Sequence, residues 1–270
     1  MADGFLTALT AVANAIFLVG GIYIYLALIR QISARGPELP LEKERTFGLP
    51  DVLLGLALAL LFLLNASSAR TEGSRPVLHM NDLIANALVS VAMLVFVTAF
   101  LKIRGRSVTL LAGFSKLGFS RTLLTGFILL FAAYPLIFLA DLMTQRVLGV
   151  PSSKQNIVEL FNQSPTLQQR VLIIILAVAI APMVEEFVFR FFLYGVLKRY
   201  VGRFAGLLVN SALFAAVHAH IPSAAPLFVL GSCFTLAYEW SGSILVPMMM
   251  HALFNSLTLT ALAFPEMIPQ

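Results

Sequence analysis

Residues 181–199 read APMVEEFVFRFFLYGVLKR. Two adjacent glutamates, Glu185 and Glu186, stand inside an apolar run, and Arg190 follows four residues after the second. On a helix, positions i and i+4 share a face, so Glu186 and Arg190 can pair as a structural ion pair inside the membrane. Adjacent residues point about 100° apart, so Glu185 faces elsewhere and needs a partner from outside its own helix. Ionisable side chains in so apolar a segment are costly to bury and mark functional sites by default. The stretch therefore predicts a membrane helix with one acid satisfied locally and one held for another purpose.

The composition of the 270 residues agrees: 59% are hydrophobic and only 11% charged. Soluble globular domains carry about 25% charged residues. The chain is expected to be one all-α, polytopic membrane domain rather than a water-soluble fold. Apolar segments about 20 residues long fall near 5–29, 50–65, 82–103, 122–140, 168–198, 204–220, 224–239 and 243–264. That predicts a bundle of about eight transmembrane helices. The first segment lacks a basic leader and is long for a signal peptide, so it reads as a retained span. Ser164 and Pro165 are expected to start the fifth helix as N-cap and first helical residue, and Pro182 to kink it. The stretch from Asp141 to Arg170 reads as the longest hydrophilic loop. Val158, Leu160 and Phe161 within it suggest an amphipathic piece on the membrane surface.

The formal net charge is +5, but the basic residues sort by loop. Arg30, Arg35, Lys43 and Arg45, then Lys102, Arg104, Arg106, Lys116 and Arg121, then Lys198, Arg199 and Arg203 follow odd-numbered segments. Arg70, Arg75, Arg146, Lys154 and Arg170 lie on the other side. The positive-inside rule puts the first set in the cytoplasm and both termini outside. Basic residues distributed this way serve topology, and no basic stripe interleaved with aromatics is present, so nucleic acid is not an expected partner. The bilayer is. A single cysteine, Cys233, excludes an intrachain disulfide and reads as a packing residue.

Three further polar positions occur in the later segments. His218 lies in the sixth, and His251 and Asn255 share a face at i, i+4 in the eighth. At 1.5 Å rise per residue, Glu185 and His218 each lie ~20 Å, His251 ~12 Å and Asn255 ~18 Å from the cytoplasmic ends of their helices. In a hydrocarbon core ~30 Å thick, all four meet near mid-depth. A carboxylate beside an imidazole can orient and deprotonate water. A second imidazole with an amide supplies donors for a developing oxyanion. The set has the parts of an amide hydrolase that needs no serine or cysteine nucleophile. A metal site from Glu185, His218 and His251 is the second reading, and a non-catalytic immunity or scaffold protein the third. A proton-coupled transporter is disfavoured, because no inverted repeat or paired broken helices occur. Asn210 is assigned to helix–helix hydrogen bonding. Phe189, Phe191, Phe192, Tyr194 and Phe214 are assigned to packing, His220 to the interface and His79 to a solvated loop.

Taken together, Glu185-Glu186-xxx-Arg190, Phe214-xxx-His218 and His251-xxx-Asn255 resemble the three motifs of the CAAX protease and bacteriocin-processing (ABI) family, which includes the type II CAAX prenyl endopeptidases. Ala181-Pro182 and the Gly242-Ser243-Ile244-x-x-Pro247 run resemble its flanks. The resemblance covers about residues 168–258, and the helices of 5–140 carry none of it. It implies an intramembrane glutamic endopeptidase of a prokaryotic cell membrane, or of the endoplasmic reticulum in a eukaryote. Glu185 and His218 would activate water, His251 and Asn255 would form the oxyanion hole, and Glu186 and Arg190 would brace the site. The expected substrate is a membrane-associated peptide or a prenylated protein, with no cofactor and no metal.

Overall fold

The computed structural model describes residues 2–35, 47–71, 80–149, 161, 164 and 166–263. Eight long helices and one short one form among them, with no strand. They are α1 (Ala2–Ala34), α2 (Leu49–Thr71), α3 (Met80–Ile103), the short α4 (Val108–Ala112) and α5 (Phe119–Leu148). Next come α6 (Leu167–Val201), α7 (Arg203–Val217), a 3₁₀ turn (Ile221–Ser223), α8 (Ala224–Ser241) and α9 (Leu245–Ala263). Five helical stretches are long and apolar enough to cross a membrane, and the apolar parts of α3, α7 and α9 are shorter. The protein is an integral membrane helix bundle. Ile16, Val19 and Tyr23 on α1 and Leu56 and Leu60 on α2 stay exposed. They suit a lipid face, since hydrocarbon solvates them as well as a protein core would.

The centre of the bundle is α5, α6, α8 and α9. Helix α5 packs on α1, α8 and α9, while α7 lies against α8 and the end of α6. Every residue from Phe187 to Leu193 is buried, against Phe214, Leu230, Phe234, Ile244 and Met250. The aromatic residues assigned to packing take that role. Asn210 Nδ2 donates to Thr235 Oγ1 at 3.4 Å, joining α7 to α8 as expected. Cys233 is a buried packing residue.

Several expectations are corrected. Residues 141–148 are helix, not loop, because α5 continues to Leu148. Gln145 Nε2 donates to Asp141 Oδ2 at 2.8 Å, so these polar residues satisfy one another on a helix. The turn ends at Gly149, whose φ of 67 suits glycine. The N-cap of α6 is Thr166, whose hydroxyl accepts from the Gln169 amide at 3.3 Å, and not Ser164, whose carbonyl takes the Arg170 side chain. Val158, Leu160 and His79 lie outside the described residues, while Phe161 is buried beneath the Arg170 guanidinium, 5.9 Å from its ring centroid.

Helix α6 is one continuous helix with two wide turns. Leu176–Ile180 and Phe187–Leu193 have i→i+5 hydrogen bonding, a geometry that recurs at functional sites. Pro182 lies in the short α stretch between these two wide turns.

A short backbone contact fixes the entry to α9. Gly113 and Gly242 both have positive φ, at 67 and 63, and a Cβ on Gly113 would collide with Gly242 O. Beside them the Ile244 amide donates to Ala112 O at 2.9 Å.

Candidate functional site

The site begins with the Glu186 carboxylate, which is fully buried. Its Oε1 accepts from Arg190 Nη1 at 3.0 Å, the i, i+4 pair expected from the sequence. The same oxygen lies 2.8 Å from His251 Nδ1 on α9. A buried acid with two basic partners is stable where one with none would not be. Arg190 is itself fully buried, with its guanidinium carbon 4.1 Å from the Phe214 ring centroid and 5.1 Å from that of Phe234. Those ring faces attract the cation in a low-dielectric setting. Its Nη2 reaches Gly231 O at 3.5 Å.

The two imidazoles share a neighbour. The Phe214 ring centroid is 4.8 Å from that of His218 and 6.2 Å from that of His251. His251 also stacks on Phe234 at 5.1 Å. His218 caps the C-terminus of α7, with Nδ1 2.7 Å from Phe214 O. A carbonyl only accepts, so Nδ1 carries the proton. In the neutral ring that leaves Nε2 as a base. The following residue, Ala219, is the one non-glycine with positive φ among the described residues, at 55. That strained turn ends α7 immediately after the imidazole.

Glu185 is half-buried, and its Oε2 is buried without a hydrogen-bond partner among the described residues. It makes no hydrogen bond to His218 or His251. The glutamate–histidine bond that does form joins Glu186 to His251, and sequence reasoning missed it because Arg190 already satisfied Glu186. Asn255 Nδ2 donates to Ala177 O on α6 at 2.7 Å, so one of its two N–H groups serves the backbone. His220, assigned to the interface, is half-buried and bonds Ser223 Oγ at 2.8 Å.

A cavity of about 410 Å³ opens between the α4–α5 connection, α6 and α9, and Glu185, Glu186, His218, His251 and Asn255 are not among the residues that line it. Its wall includes Pro182 and Met183, one turn before the glutamates, and Met248 and Ala252, which flank His251. Thr122 in the same wall is buried, with a hydroxyl lacking a hydrogen-bond partner among the described residues. Among the described residues, no three His, Cys, Asp or Glu side chains converge in a metal-binding arrangement.

A family model described as type II CAAX prenyl endopeptidase Rce1-like matches residues 167–257. The membrane-embedded CAAX protease MroQ of Staphylococcus aureus (strain USA300) is 34% identical over 82 residues, which is 28% of this chain and 33% of that protein. The chain thus spans about a third of the length of the curated relative it matches. No solved structure matches. The matched residues contain Glu185, Glu186, Arg190, His218, His251 and Asn255, and over this segment the chain is similar to the CAAX proteases.

Proposed function

We propose that this protein is an intramembrane glutamic endopeptidase that hydrolyses a peptide bond of a membrane-associated or lipidated substrate. The observation that carries the reading is the Glu186–Arg190–His251 cluster, next to a second carboxylate, Glu185, whose buried oxygen has no hydrogen-bond partner among the described residues. One acid is committed to holding the site. The other is left to handle water.

In this mechanism Glu185 accepts a proton from water as its oxygen attacks the scissile carbonyl carbon. His218, with Nδ1 tied to the Phe214 carbonyl, presents Nε2 to orient that water. The tetrahedral oxyanion takes hydrogen bonds from His251 Nε2–H and from the second N–H of Asn255. When the C–N bond breaks, the proton moves to the departing amine and the carboxylate is restored. Since His251 Nδ1–H already faces Glu186, Nε2 donates only in the imidazolium form, for which Glu186 is the counter-ion. The ionised glutamates, Arg190 and the imidazolium then sum to zero charge, a favourable balance in a medium that solvates isolated charges poorly. No metal and no cofactor enters these steps.

The family match supports a peptide substrate of a membrane-associated protein. A prenylated protein is one member of that class. The loop charges support a site entered from a membrane whose cytoplasmic side carries Lys198 and Arg203, with both termini on the other side.

The test is detergent-purified protein incubated with a peptide library, wild type beside Glu185→Gln, with products read by mass spectrometry. Wild type is expected to cut, to resist chelators, and to lose roughly 100-fold or more of its rate on the substitution, in line with removing a general base. Equal cleavage by both proteins removes Glu185 from the mechanism. Full loss with a chelator returns the metal reading.

A further inference from the structure

The Asn255 contact poses a question of backbone chemistry. Its partner, Ala177 O, lies in the first wide turn of α6. In an ordinary α-helix that carbonyl would accept from the amide of Ala181, four residues on. Here the Ala181 amide reaches back five residues to Leu176 O. The same five-residue register would pair Ala177 O with the nitrogen of residue 182. That residue is proline, which has no N–H. The carbonyl would be orphaned inside the bundle, a state that buried backbone groups rarely tolerate. The amide of Asn255 fills the vacancy at 2.7 Å.

We infer that Pro182 is a positioning residue for the site: by withholding an N–H from Ala177 O, it makes that carbonyl the anchor that fixes the Asn255 side chain. An asparagine amide is planar, so holding one N–H aims the other. The anchor also joins α6 to α9, the two helices that carry Glu186 and His251, at a second level along the pair. The inference rests on the peptidase reading only for its catalytic consequence, because the hydrogen-bond exchange can be measured without any substrate.

The experiment compares four full-length proteins in detergent: wild type, Pro182→Ala, Asn255→Ala and the double variant. With alanine at 182, Ala177 O gains an amide partner whether the turn stays wide or relaxes to α, so Asn255 is no longer needed to satisfy it. Asn255→Ala is therefore expected to lower the melting temperature in the wild-type background and to leave it nearly unchanged in the Pro182→Ala background. Equal shifts in both backgrounds overturn the inference. In turnover, Pro182→Ala is expected to lose about tenfold in kcat without losing stability, since removing a proline from a helix interior relieves strain. That loss should vanish when Asn255 is already alanine, because no amide remains to be released. Wild-type kcat in Pro182→Ala, or the same fold-loss in both backgrounds, also overturns it. Glu185→Gln separates the two ideas. If that variant still cleaves, the peptidase mechanism fails while the melting cycle continues to report on the anchor.

Discussion

Two acids with little or no solvent contact, Glu186 and Glu239, each gather basic partners, and they do so in opposite ways. Glu239 sits at the end of α8, where Lys198 Nζ approaches at 2.8 Å, Arg203 Nε at 3.2 Å and the Tyr194 hydroxyl at 3.1 Å. Lys198 and Arg203 keep 24% and 18% of their side-chain surface exposed, so water shares the load. Around it Arg35 donates to the carbonyls of Glu239 and Trp240, and Arg203 to those of Ile32 and Arg35. These bonds clamp the ends of α1, α6, α7 and α8 together. Glu186 has two partners and no solvent contact. The redundant cluster shares its charge with water, whereas the minimal one holds its acid with two partners and none to spare.

This contrast can be broken by substitution. The largest effect is expected from Glu186→Ala, which strands a buried guanidinium among phenyl rings. Removing one partner of a buried pair costs about 3–5 kcal/mol, read as a melting shift in detergent or loss of folded protein on size exclusion. Arg190→Lys should fall below that, at about 1–3 kcal/mol, because an ammonium keeps the charge but loses the planar stacking over Phe214 and Phe234. A loss equal to that of Glu186→Ala would mean the planar geometry, not the charge, carries the stabilisation. Glu239→Gln should cost less again, at about 1 kcal/mol, and the gap from wild type should narrow as salt is raised. A salt-independent loss as large as that of Glu186→Ala would erase the distinction between the two acids. The smallest effect is expected outside both clusters. Ala219→Gly relieves a positive φ and should change stability by roughly a few tenths of a kcal/mol, measured by the same melts.

The helices were legible in the sequence because the bilayer imposes length and apolarity on each one, and those are local properties. The candidate polar residues were legible too, since an acid or imidazole in an apolar run is too costly to keep without a task. Contacts between helices were a different matter. The bond from Glu186 to His251 spans 65 positions, and the i, i+4 arginine concealed the need for it. Helix α4 is five residues long, too short for a periodic signal. The wide turns of α6 left one local trace, Pro182. Their effect emerges only when Asn255, 78 positions away, is seen meeting the displaced carbonyl. The clamp on Glu239 was illegible for the same reason: Lys198 and Arg203 read as topology markers of the loop after the fifth segment.

The crossing of Gly113 and Gly242 has a mechanical consequence. Two backbones in direct contact, with no side chain between them to yield, work as a pivot pin. Helix α9 starts shortly beyond that pin, and its entry is tethered through the Ile244 amide to Ala112. A side chain added at Gly113 therefore has to displace the start of the rod that bears His251.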